Sequence, residues 1–78
     1  METLRKFLNS LTLEQQELYA KRCGTSLAYL RKALYKHPKM DGALCLKLEN
    51  ESYGQVKKQE LRPDIWPELV DKQGKIND

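Results

Sequence analysis

Histidine is almost missing from this chain: His37 is the only one in 78 residues. The two cysteines, Cys23 and Cys45, have no second Cys or His at metal-ligand spacing, and two cysteines do not make a disulfide framework. Both stand among apolar residues and read as small core side chains in a reducing compartment. The four glycines are scattered, so there is no Gly-rich phosphate loop. No Ser/His/Asp or Cys/His arrangement can be assembled, and so short a chain has little room for a deep catalytic cleft. The sequence therefore predicts no enzyme activity, no metal, no cofactor and no small-molecule substrate. No signal peptide is visible, and no apolar run nears the roughly 20 residues of a membrane span. A cytoplasmic protein without membrane contact is expected.

What is present suits a small folded globule. The chain is 40% hydrophobic and 32% charged, a balance that favours folding over disorder. The length allows one domain, placed at residues 1–70, with the polar stretch 71–78 expected to be a disordered tail. A domain of this size buries a modest core, so a partner would help it. The net charge of +3 is unevenly spread. Residues 1–39 carry eight basic and three acidic side chains, residues 40–78 six and eight. Between Lys21 and Lys39 there are six Lys or Arg residues and no Asp or Glu. Such a run is either a solvated face or a surface for an anionic partner.

The pattern predicts an all-α fold, a small bundle of four to five short helices. Leu4, Phe7, Leu8 and Leu11 follow helical spacing, giving a first helix over 2–10. Thr12 with Gln15 has the form of a capping box opening a second helix, Leu13 to Cys23, which Gly24 ends by supplying a positive φ. Along it Leu13, Gln16–Glu17 and Ala20 step down one side. Thr25 or Ser26 caps a third helix, whose Leu27, Leu30 and Leu34 are buried and which ends near Lys36, ahead of Pro38. With Leu30 pointing inward, Ala28, Lys32, Tyr35 and Lys36 fall on the opposite side, flanked by Tyr29 and Arg31. Asp41 is expected to cap a fourth helix carrying Leu44, Cys45 and Leu48 on one side and ending near Asn50. Gly54 marks a turn, Val56 pairs briefly or plugs the core, and Lys58 to Leu61 forms one more helical turn. Asp64 and Pro67 fit the start of a final short helix.

Two short helices joined by a tight Gly-containing turn make a helix-turn-helix unit. Its outward helix is a rod that a B-DNA major groove, about 12 Å wide, admits. Gln16-x-x-x-Ala20-x-x-x-Gly24 followed by Leu30 resembles the phage repressor and Cro-type helix-turn-helix proteins. The stretch "GTSLAYLRKALY", a basic Pro-containing link, "GALCLKLE" and "VKKQELRPDIWPEL" are similar to the small Cro-like, YdaS-type regulators of bacterial chromosomes and prophages. The resemblance covers about Glu14 to Leu69. It implies a lambda-repressor-like fold and a DNA-binding transcriptional regulator. Thr25 stands where these motifs commonly have a β-branched aliphatic, and Ala33 where a larger aliphatic is common.

On this basis the expected partner is double-stranded DNA. Lys32 is the leading candidate for a guanine edge, with Ala28 and the Tyr29 ring against thymine methyls, Ser26 on a base edge or phosphate, and Arg31 on a groove edge or the backbone. The outward side lacks Gln and Asn, the usual adenine readers. Thr25, Lys36, His37 and Lys39 are candidate phosphate contacts, and the resemblance adds Gln16. Each has a plainer reading. Tyr29 and Tyr35 are alternatively packing residues, His37 a surface loop residue, and Arg31 a partner for a carboxylate. A homodimer on a palindromic operator is expected, with half-sites about 34 Å apart. Leu48, Tyr53, Ile65, Trp66 and Leu69 are candidates for its surface. Trp66 reads either as a lid over the core or as a dimer contact. The competing function is a protein-interaction module, antitoxin-like, that keeps the fold and binds another protein.

Overall fold

The computed structural model describes residues 1–67, which form five helices and no strand. These are α1 (Glu2–Asn9), α2 (Leu13–Arg22), α3 (Leu27–Lys36), α4 (Gly42–Glu51) and α5 (Lys58–Leu61). Residues 68–78, and with them Leu69 and the expected tail at 71–78, lie outside the described residues.

Local chemistry sets the boundaries. Thr12 Oγ1 accepts from the Gln15 N–H at 3.2 Å while Gln15 Oε1 accepts from the Thr12 N–H at 2.9 Å, the reciprocal bonds of a capping box. At the other end of α2, Gly24 has φ +78°. Its N–H reaches Lys21 O at 3.0 Å and the Thr25 N–H reaches Ala20 O at 3.0 Å. This crossed pair is a Schellman motif, which satisfies carbonyls the helix end would leave open. Of the two caps expected for α3, Ser26 takes the role: its Oγ accepts from the Tyr29 N–H at 3.1 Å. Asp41 precedes α4 but makes no side-chain cap bond. A second Schellman pair closes α4, with Tyr53 N–H on Asn50 O and Gly54 N–H on Glu49 O. Here the left-handed position falls on Tyr53, φ +56°, and not only on Gly54.

The core gathers Leu4 and Leu8 of α1, Tyr19 and Ala20 of α2, Leu30 and Ala33 of α3, Cys45 and Leu48 of α4, and Leu61 of α5. Met40 and Val56 plug it from the connections; both are fully buried. Ala33 is buried because it is small, so α3 approaches its neighbours closely there. Leu13, on the same side of α2 as buried Ala20, is 57% exposed. It stands at the first helical position, beyond the edge of the core, and Tyr19 supplies the apolar bulk instead. The Phe7 and Tyr19 rings meet edge to face, with centroids 4.8 Å apart. Tyr19 donates its hydroxyl to Leu48 O at 2.6 Å, and burial pushes that hydroxyl well above the usual tyrosine range.

Long-range polar bonds tie the ends of the chain together. The Glu60 carboxylate accepts from the Thr3 N–H at 2.8 Å, capping α1 from across the fold, and Thr3 Oγ1 accepts from the Lys57 N–H at 3.0 Å. Buried Ser52 donates to Glu49 O and accepts from the Val56 N–H, both at 2.9 Å. Pro67 has 3-10 geometry, and the rest of the expected final helix lies outside the described residues. Arg62 engages the Asp64 carboxylate with two bonds of 2.9 and 2.8 Å and donates also to Met40 O. Trp66 is half-buried against the core, 5.8 Å from Lys58 Nζ, and together with Ile65 it covers the start of α4 at Gly42. It is a lid. Leu48 is fully buried, which removes it as a surface contact; Tyr53 and Ile65 remain exposed.

Candidate nucleic-acid interface

Helix α3 packs on α2 through Leu30 and Ala33, which are fully buried. Anchoring those two positions turns the opposite side of the helix outward. Ala28, Arg31, Lys32, Tyr35 and Lys36 are all exposed, as are Ser26 before the helix and His37 and Lys39 after it. Tyr35 stands 78% exposed, so it is not a packing residue. Every charged side chain along this face is positive.

The two flanks of the helix differ. On one, Tyr29 is half-buried against the core and, with Thr25, lines a cavity of about 300 Å3 between the turn and α4. Lys47 of α4 lines the same cavity. Thr25 has spent its N–H on the turn, leaving its side chain at the cavity edge. On the other flank, Arg31 faces α1 and α2. Its Nη2 lies 3.5 Å from Gln16 Oε1, and no carboxylate among the described residues pairs with it.

Gln16 sits otherwise than expected for a phosphate contact. Its Nε2 donates to Leu8 O at 2.7 Å and to Leu11 O at 3.3 Å. An amide nitrogen has two hydrogens, and both are used in fastening the end of α1 to α2. What it offers outward is an acceptor, which suits an arginine and repels a phosphate. Sequence reasoning also missed Arg5. It reaches from α1 to α3, with Nη2 3.5 Å from Leu34 O. No local spacing signals that approach, because it depends on how α1 docks.

His37 closes α3 in the left-handed region, φ +49°, and its N–H bonds to Ala33 O. The bend it makes carries the chain through half-buried Pro38 to Lys39 and buried Met40. Arg62 beside Asp64 holds that carboxyl at about 2, with Lys39 adding a smaller pull in the same direction. Lys32, Lys36 and Lys39 make no ion pair among the described residues. No group of side chains there could hold a metal ion, and no helix there is long and apolar enough to cross a membrane.

No family model and no solved structure matches the chain. A prophage transcriptional regulatory protein of Escherichia coli strain K12 is 38% identical to it over 64 residues, which are 82% of this chain and 97% of that protein. The chain belongs to the family of that prophage transcriptional regulator.

Proposed function

We propose that this chain is a Cro-like, YdaS-type regulator that binds double-stranded DNA with α3 in the major groove, as a homodimer on a palindromic operator in the bacterial cytoplasm. It acts by binding and not by catalysis. The observation that carries this reading is the exposed face of α3, where a helix held by Leu30 and Ala33 presents only positive charge. The family relative, named as a transcriptional regulator, supports the same direction. The Gly24 turn supports it as well, since it lets α2 stop and α3 leave at a new angle.

Within that face the roles divide by position. Lys32, exposed on the side of α3 opposite Leu30, takes a guanine edge, with Ala28 beside it on a thymine methyl. Ser26 has given one lone pair to the Tyr29 N–H and keeps its hydroxyl hydrogen for a base or phosphate. Lys36, His37 and Lys39 follow the helix out toward the backbone, where contacts fix register without reading sequence.

Selection of bound sites from a random duplex pool tests the proposal. A palindromic consensus is expected. Lys32→Ala should then cost roughly 1–3 kcal/mol and relax preference at one position, while Lys39→Ala should weaken all sites alike and flatten the salt dependence. Recovery of no consensus, with the chain instead retained by another protein, would establish the interaction-module reading in its place.

A further inference from the structure

Between α1, α2 and α3 lies a groove of about 230 Å3 that borders the outward face of α3. Two guanidinium groups line it, Arg5 from α1 and Arg31 from α3, together with the neutral polar side chains of Asn9, Gln16 and Tyr35. No carboxylate is among its lining residues. Each arginine makes a single long bond of 3.5 Å to a neutral oxygen, Arg5 to Leu34 O and Arg31 to Gln16 Oε1. A guanidinium has five N–H donors, so most of this capacity is free. Neither arginine forms an ion pair among the described residues, although Arg62 and Lys58 each do. Two uncompensated cations sharing one groove repel each other, and an oxyanion between them removes that cost.

We infer that Arg5 and Arg31 form a clamp for one phosphate group, a phosphodiester of the duplex strand that borders the groove occupied by α3. The inference rests on the DNA-binding reading and changes the role of Arg31 within it. Arg31 lies on the flank of α3 that faces α1, whereas Lys32 and Ala28 lie on the outward side. A helix in the major groove has a backbone strand along each flank, so a side chain turned to the flank meets phosphate before it meets a base. Gln16 is then a positioning residue: its amide is fixed by Leu8 O and Leu11 O, and its carbonyl oxygen steers Arg31. Arginine suits the task because its planar fork grips a phosphate through two parallel bonds.

The test uses the full chain and two duplexes of unrelated sequence, titrated by fluorescence anisotropy between 50 and 200 mM salt. Arg5→Ala and Arg31→Ala should each make the log–log salt slope shallower by about 0.9, the value for one phosphate contact. The affinity lost across that salt range then becomes about 3.5-fold smaller than for the parent. Both variants should weaken the two duplexes equally, and Arg5→Lys should keep most of the slope. Both side chains are exposed, so circular dichroism should match the parent. An unchanged slope in either alanine variant overturns the clamp, and so does an Arg31→Ala loss that differs between the duplexes, which marks a base contact. If the parent binds neither duplex, the DNA reading fails, and inorganic phosphate titrated into the 15N-labelled chain decides the groove. A saturable shift shared by the Arg5 and Arg31 Nε–H signals keeps a phosphate site there; no saturable shift removes it.

Discussion

Gly24→Ala isolates the turn on which the geometry of α3 depends. Gly24 sits at φ +78°, and a Cβ added there meets nothing within 4 Å. Steric clash with neighbouring residues is therefore absent, and only backbone conformation is left to exact a cost. The left-handed region costs an L-residue about 1–2 kcal/mol. Alanine also narrows the unfolded ensemble, which returns about 0.4–1 kcal/mol. The net loss should be near 1 kcal/mol, equivalent to a fall in Tm of about 4–8 °C for a domain of this size. The mirror residue gives a sharper test. D-alanine, placed by chemical synthesis, favours positive φ. It should stabilise the domain by roughly 0.4–1 kcal/mol. Urea unfolding followed by far-UV circular dichroism and Trp66 fluorescence measures both variants. Equal destabilisation by the two enantiomers would show that contact, and not φ, sets the cost. An L-alanine variant as stable as the parent would show that the turn does not hold the left-handed geometry.

Other consequences concern the core and its charges. Ser52→Ala leaves the buried Val56 N–H without its acceptor and should cost about 1–3 kcal/mol in the same urea assay; parental stability would mean that the Ser52 bond contributes nothing. Asp64 is held at about 2 by Arg62, against an ordinary 3.8. Its folded value is the lower one, so the Arg62 pair contributes fully above about pH 4 and is lost as pH falls toward 2. Asp64→Asn should therefore flatten the pH dependence of Tm in that window, and parallel curves for variant and parent would refute it. Cys23 is buried, and burial pushes its thiol up to about 11; Cys45 is buried and raised for the same reason. A thiol reagent at pH 8 should label neither cysteine until urea opens the fold, and rapid labelling of the native protein would contradict the core assignment.

The helices were legible in the sequence because their signals are local. Thr12 with Gln15, Gly24, and Ser26 before Leu27 each mark a boundary within four residues, and the structure places α2 and α3 accordingly. The apolar period of α3 correctly put Leu30 inside and Ala28, Lys32 and Lys36 outside. What escaped was everything that depends on how the helices dock. The cap of α1 comes from Glu60, 57 residues away along the chain, and no short pattern announces such a bond. Asp64 reads as a helix cap because it precedes Pro67, and no short pattern announces that Arg62, two residues away, takes its carboxylate. Gln16 fits a motif whose glutamine reaches outward, yet the carbonyls ending α1 lie closer and take its amide. Arg5 carried no signal beyond its charge until α1 set it beside α3. The outward residues of α3 were therefore easier to read from sequence than those on its flanks.

The central claim is that α3 meets the DNA backbone with uncompensated positive charge. Anisotropy titration of the unmodified chain on a random-sequence duplex, at several salt concentrations from 50 to 200 mM, tests it most directly. The predicted result is a straight log–log decline with a slope set by the number of phosphates contacted, about −0.9 for each. Lys36, Lys39 and the Arg5–Arg31 clamp, three phosphates in all, together call for a slope of about −2.7. Binding absent at every salt concentration, or binding that salt leaves unchanged, would contradict the account.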